Sequence, residues 1–169
     1  MKVRIALSIT AATVLGVTGY ALAQAQPEDD AAFAAQIWEQ LLAQRLVGPE
    51  SIGAVPYPRQ GEAHGSLLVS LLSTITVGET EGQVIVKRSY AGEDATRDNI
   101  IANPADNVAN ITVMFKREGY DPENADWFWA MYMPDGTLGE MEGMPVAGRV
   151  EMCTSCHVEA QGGDYLFLQ

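Results

Sequence analysis

Two cysteines and two histidines are all the thiol and imidazole this chain carries, and three of the four fall in one run, Cys153-Thr154-Ser155-Cys156-His157. Thiols three positions apart share one face of a helical turn, and the imidazole one step on lies on that face as well. Such thiols can each add to a vinyl group of one porphyrin as a thioether, while the imidazole offers a lone pair to the iron. C-x-x-C-H is the attachment pattern of a c-type haem. It predicts one covalent haem c, anchored at Cys153 and Cys156, with His157 as the proximal iron ligand. Two other chemistries use the same residues. A redox-active C-x-x-C pair opens the helix of a βαβ unit, and nothing before Cys153 reads as one. A zinc site would gather Cys153, Cys156 and His157 with His64, but structural zinc sites pair two separated ligand doublets and this chain has no second doublet.

The sixth iron position decides what such a haem does. It can stand open, or be filled by His64 or by one of Met114, Met131, Met133, Met141, Met144 and Met152. Methionines more often fill gaps in cores, and Met152, next to the motif, is badly placed to reach the opposite face. His64 lies between glycines in a loop and reads first as a surface or supporting residue. Distal polarity and access separate gas binding, activation and electron transfer. An open apolar pocket holds NO or CO; a filled sixth site suits an electron carrier.

The first residues agree with covalent haem, which is attached outside the cytoplasm. Residues 1–23 read as a secretory signal peptide: Lys2 and Arg4, an apolar stretch from Ile5 to Tyr20, and Ala21-Leu22-Ala23 as an A-x-A cleavage site. The apolar run is short and broken by Ser8, Thr10, Thr13 and Thr18, so cleavage near Gln24, with no membrane span remaining, is the expectation. The mature protein is then exported, and periplasmic in a Gram-negative source. It keeps 169 − 23 = 146 residues and a net charge of −12 − 2 = −14. That size fits one domain, and the charge argues against nucleic acid and anionic membranes as partners. It suits a basic redox partner, or simply a solvated acidic surface.

The elements that must position the motif follow from patterning. Residues 24–29 form a polar leader and 30–169 a single domain. A helix is predicted from Asp30 to about Val47, with Phe33, Ile37, Trp38, Leu41, Leu42 and Leu46 at helical spacing and Gly48-Pro49 as its stop. Residues 48–65 read as a loop. Strands are predicted over Leu67–Val77, Gln83–Tyr90, Ile111–Lys116 and Trp127–Met133, with a turn at residues 78–82, a polar connection at 92–107 and a Gly- and Met-containing loop at 137–150. Alternation puts Ile85, Lys87 and Ser89 on one face of their strand, with Val84, Val86 and Arg88 on the other. It likewise separates Trp127, Trp129 and Met131 from Phe128, Ala130 and Tyr132. Asp164 to Gln169 reads as a final strand.

This order is neither that of the small helical cytochromes c, where the motif is N-terminal, nor that of four long helices. It resembles the cytochrome P-460 family, which includes cytochrome c′-beta. The matching pieces are Gly61-Glu62-Ala63-His64-Gly65, Gln83-Val84-Ile85-Val86-Lys87, Asp126-Trp127-Phe128-Trp129-Ala130-Met131-Tyr132, the C-x-x-C-H run and Asp164-Tyr165-Leu166-Phe167. The resemblance implies an α+β fold, mainly antiparallel sheet, with an N-terminal helix and a C-terminal haem-attachment helix, in a homodimer. In the P-460 enzymes a lysine is bonded to the porphyrin and hydroxylamine is oxidised; the matching position is Lys87. In the c′-beta branch that bond is missing, and an apolar distal pocket takes NO or CO. Read from the strand alone, Lys87 is a solvent-facing lysine. The enzymes also carry a distal carboxylate, and Thr112 falls at its place. A threonine hydroxyl is no base near neutral pH, which favours gas binding or electron transfer over hydroxylamine oxidation.

Overall fold

The computed structural model describes residues 27–59 and 64–167. The signal peptide expected at residues 1–23 lies outside them. Helix α1 (Pro27–Ala43) is followed by β1 (Tyr57–Pro58), β2 (Leu67–Val77), β3 (Thr80–Tyr90), α2 (Arg97–Ala102), β4 (Val108–Lys116), β5 (Trp127–Tyr132), β6 (Glu140–Met141), β7 (Met144–Pro145), β8 (Ala147–Gly148) and α3 (Glu151–His157). Among the described residues, β1-β2-β3-β4-β5-β8 form one antiparallel sheet in that order, and β6 and β7 make a small separate hairpin. The fold is therefore α+β, with α1 and α3 at its two ends in sequence and the short α2 between β3 and β4.

Helix α1 starts and stops earlier than its apolar stripe predicts. Pro27 at its first position suits a helix start, where the missing N–H has no intrahelical partner to lose. At the other end Arg45 takes φ 57°, and the Leu46 and Arg45 amides return to the carbonyls of Leu41 and Leu42, at 2.9 Å each. This closes the helix before Leu46, which still buries with Leu41 in the core. The β2–β3 turn is tighter than expected. Gly78, at φ +60°, supplies the left-handed residue of a two-residue loop, so Thr80 to Gly82 join the strand. Helix α2 was not expected. It is capped by Thr96, whose Oγ accepts from the Asn99 amide at 3.3 Å, and of its residues only Ile100 is buried.

Strand alternation gives the sheet two working faces. On one, Val84, Val86, Ile111, Val113, Phe115, Phe128, Ala130 and Tyr132 meet Ala34, Ile37, Trp38 and Leu41 of α1 in the main core. Tyr132 Oη fastens this packing by donating to the Ala34 carbonyl at 2.7 Å. On the other face, Met114, Trp127 and Trp129 form a second cluster, covered by Cys153 of α3 and by Tyr165 and Leu166 beyond it. The sheet thus divides a structural core from the face that carries the motif.

The C-terminal residues are not the strand expected there. Asp164 and Tyr165 both adopt left-handed backbone, φ 48° and 64°, and the Leu166 amide bonds back to the Gly163 carbonyl at 3.0 Å. Two successive left-handed residues cannot continue a strand; they fold the chain back over the motif.

Candidate functional site

Helix α3 is seven residues long and puts residues 153, 156 and 157 on adjoining positions. Its first turn is closed by the Cys153 and Thr154 amides on the Val150 carbonyl, at 2.9 and 3.1 Å. Cys153 is half-buried against the tryptophan cluster, Cys156 is exposed, and both thiols are free. Burial and the neighbouring Cys156 push the Cys153 thiol up to about 11. Among the described residues no group of three or more His, Cys, Asp or Glu side chains is placed to hold a metal ion. The zinc arrangement with His64 as fourth ligand therefore has no site here.

His157 is held by the chain that follows it. Its Nδ1 lies 2.8 Å from the Tyr165 carbonyl. A carbonyl can only accept, so Nδ1 carries the proton and Nε2 keeps its lone pair for a metal. The Tyr165 carbonyl is itself fixed on both sides. Asp164 pairs with Lys116 at 2.6 Å and receives Trp127 Nε1 on its carbonyl at 3.0 Å, while Tyr165 Oη donates to Asn124 at 3.2 Å. Around the imidazole stand three rings: Trp129 at 4.8 Å, Phe167 at 5.1 Å and His64 at 6.5 Å between centroids. Sequence reasoning missed Tyr165 as a positioning residue, because a backbone carbonyl has no residue-type signal.

The sheet places the other predicted residues on this same face. Lys87 and Thr112 are direct cross-strand partners, flanked by the pair Ile85 and Met114, with Trp129 next to Met114 on β5. Lys87 is half-buried rather than solvent-facing, and burial lowers its ammonium pKa. Its charge reaches both imidazoles. His64 is lowered to about 4, first by burial and then by Lys87 and His157; His157 is lowered by burial, partly offset by its bond to Tyr165. His64 itself sits at φ 63°, ahead of Gly65, where a Cβ would come within 2.7 Å of the Tyr90 carbonyl. Of the candidate methionines, Met114 belongs to the cluster beside the motif, whereas Met133, Met144 and Met152 are exposed.

The site face also holds polar atoms with no protein partner. Trp129 Nε1, Ser89 Oγ and Asn110 Oδ1 are buried and unbonded, and Ser89 and Asn110 are cross-strand partners. Buried polar groups normally find partners. A face with paired thiols, an imidazole presenting a free Nε2, aromatic and apolar walls, and the spare donors Trp129 Nε1–H and Ser89 Oγ–H fits a haem, whose propionates accept hydrogen bonds.

Residues 71–168, more than half the chain, match the family model described as Cytochrome P460. The chain belongs to the cytochrome P460 family. It is accordingly a haem protein of the c-type cytochrome class. No curated protein and no solved structure matches it. The matched residues include Lys87, Thr112 and the motif; His64 and α1 precede them. Among the described residues no helix is long and apolar enough to cross a membrane.

Proposed function

We propose that this protein is an exported mono-haem c-type cytochrome that binds a small neutral gas, NO or CO, at an iron held by His157, with Cys153 and Cys156 as the thioether anchors. The carrying observation is the make-up of the site face. From Gln83 to Ser89 on β3, Asn110 to Lys116 on β4 and Trp127 to Met131 on β5 there is no carboxylate. A site that oxidises hydroxylamine must take protons from it, and a base has to stand within hydrogen-bond reach. Thr112, opposite Lys87, can donate or accept a hydrogen bond but cannot serve as that base. A bound haem would supply a redox-active iron able to take the gas. The chain's part is to orient His157 through Tyr165, to keep water out with Trp129, Met114 and Ile85, and to offer one hydroxyl at Thr112.

A second reading rests on the His64 ring, which faces His157 across 6.5 Å. If His64 takes the sixth position the protein is an electron carrier. The lysine-bonded enzyme is the remaining alternative, and the half-buried Lys87 is the residue it would use. One measurement separates the three: the ferrous absorption spectrum of the matured holoprotein, with and without CO, for the natural chain, Lys87→Ala and His64→Ala. Gas binding predicts a high-spin c-haem that takes up CO promptly and a Soret band unmoved by Lys87→Ala. A low-spin spectrum indifferent to CO until His64→Ala is made means the electron carrier. A broad red-shifted Soret band lost in Lys87→Ala means the enzyme.

A further inference from the structure

Behind the sheet from Lys87, on the next residue of β3, a charged side chain is buried without a counter-ion. Arg88 is 1% exposed. Its Nη2 donates to the Ile52 carbonyl at 2.8 Å and its Nη1 reaches the Pro104 carbonyl at 3.4 Å, while Nε has no partner. Neither Lys116–Asp164 nor Arg149–Asp121 involves it, and among the described residues no carboxylate pairs with this guanidinium. A guanidinium stays protonated in proteins, and a buried charge is tolerated only when it is compensated.

Arg88 lines a cavity of about 240 Å³ between β3, β4 and the loop after α1. Ser51, 6% exposed, lines the same cavity, and its Oγ is also buried and unbonded. The loop that brings Ser51 there is fixed by its own amide on the Gly48 carbonyl and by the Ile52 amide on the Arg45 carbonyl, at 3.1 and 2.8 Å. The walls are apolar, with Val108 and Ile111, and exposed Asp106 stands at the rim without pairing to Arg88. At about 30 Å³ per water, this space admits a four-atom anion with several waters.

We propose that this cavity is a binding site for a small planar oxyanion, of the nitrate or carboxylate kind, held by the free N–H groups of Arg88 and the hydroxyl of Ser51. Guanidinium donors lie in one plane at fixed spacing and match two oxygens of such an anion. The site is separate from the haem face and does not depend on what the haem does.

The test is thermal unfolding of the holoprotein at constant ionic strength, with nitrate replacing chloride, a single-atom ion that cannot offer two oxygens to the guanidinium plane. Nitrate is chosen because it is a poor haem ligand. The expected result is a midpoint that rises with the logarithm of nitrate concentration above saturation, as a ligand of the native state requires. Ser51→Leu, which fills the cavity, and Arg88→Met should abolish the rise. Asp106→Asn, on the exposed rim, should leave the fold intact and shift the response to several-fold lower nitrate. No rise in the natural protein overturns the proposal. So does a rise of equal size in Ser51→Leu, or one that Asp106→Asn leaves in place.

Discussion

Residues on the two sides of this sheet are buried for different reasons, and Asp30 shows how one of them can be tested. Its carboxyl is 7% exposed, accepts from Tyr120 Oη at 2.7 Å, and leaves Oδ1 unbonded. Burial raises its pKa above the ordinary 3.8 and outweighs the bond to Tyr120 and the charges of Arg117 and Arg149, which lower it; Asp29 adds to the rise. The folded state therefore holds this proton more tightly than the unfolded chain does. Its contribution to stability is greatest below 3.8 and falls as pH rises through the raised folded value, then stays level. Asp30→Asn removes that slope. Urea unfolding midpoints of the two proteins across the acid range should converge toward low pH and separate above it, with Asp30→Asn the more stable at the upper end. Parallel midpoints would mean that Asp30 ionises as freely folded as unfolded. At this same scale the motif residues were legible because their chemistry is in the residue type. The acceptor for His157 was not, because Tyr165 acts through its backbone.

Elements whose pattern is set by burial could be read directly, and those set by backbone geometry could not. Strand β2 runs over Leu67–Val77 as its β-rich apolar texture predicts, and the Lys87 face of β3 follows from alternation because the opposite face, Val84, Val86 and Arg88, is fully buried. The pairing of Lys87 with Thr112 depends on the β3–β4 register, a tertiary fact that no single strand contains. Helix α2 buries only Ile100, too little to show a helical period. The expected strand at residue 164 fails on two left-handed residues that are not glycines. Gly148 is the element-scale counterpart where a glycine is needed. It pairs β8 with Trp129 just before α3, at φ +98°, and a Cβ there would run into the Asp30 carboxylate and within 2.9 Å of Tyr120 Oη. Left-handed strain and overpacking each cost about 1–3 kcal/mol. Gly148→Ala should thus lower unfolding free energy by about 2–4 kcal/mol in denaturant titrations. Because β8 leads into the motif helix, the ferrous haem spectrum should change with it. A loss under about 0.5 kcal/mol would show that α1 yields easily at this contact.

At the scale of the whole molecule the six-stranded sheet carries the α1 core on one face and the motif cluster on the other, and the two need not fail together. The α1 side holds most of the buried apolar residues and makes no use of the C-terminal segment. The motif side is a smaller cluster whose cover, Tyr165 and Leu166, is only half-buried, and which is tied down by Lys116–Asp164, Trp127 to the Asp164 carbonyl and Tyr165 to Asn124. Ending the chain at Gly163 removes all three ties and the carbonyl that holds His157, while α1 and its core are untouched. The lost burial of two partly covered side chains is worth about 1–3 kcal/mol, a fraction of a domain's stability of about 5–15 kcal/mol. The truncated holoprotein should therefore keep its far-ultraviolet circular dichroism and still melt cooperatively. Its haem should respond much more. An imidazole whose Nδ1–H is bonded to a carbonyl is the more basic ligand and favours ferric iron, so losing that bond should move the reduction potential upward. If the sheet itself melts on truncation, the two faces form one cooperative unit, and the C-terminal segment is part of the fold rather than a fitting for the haem.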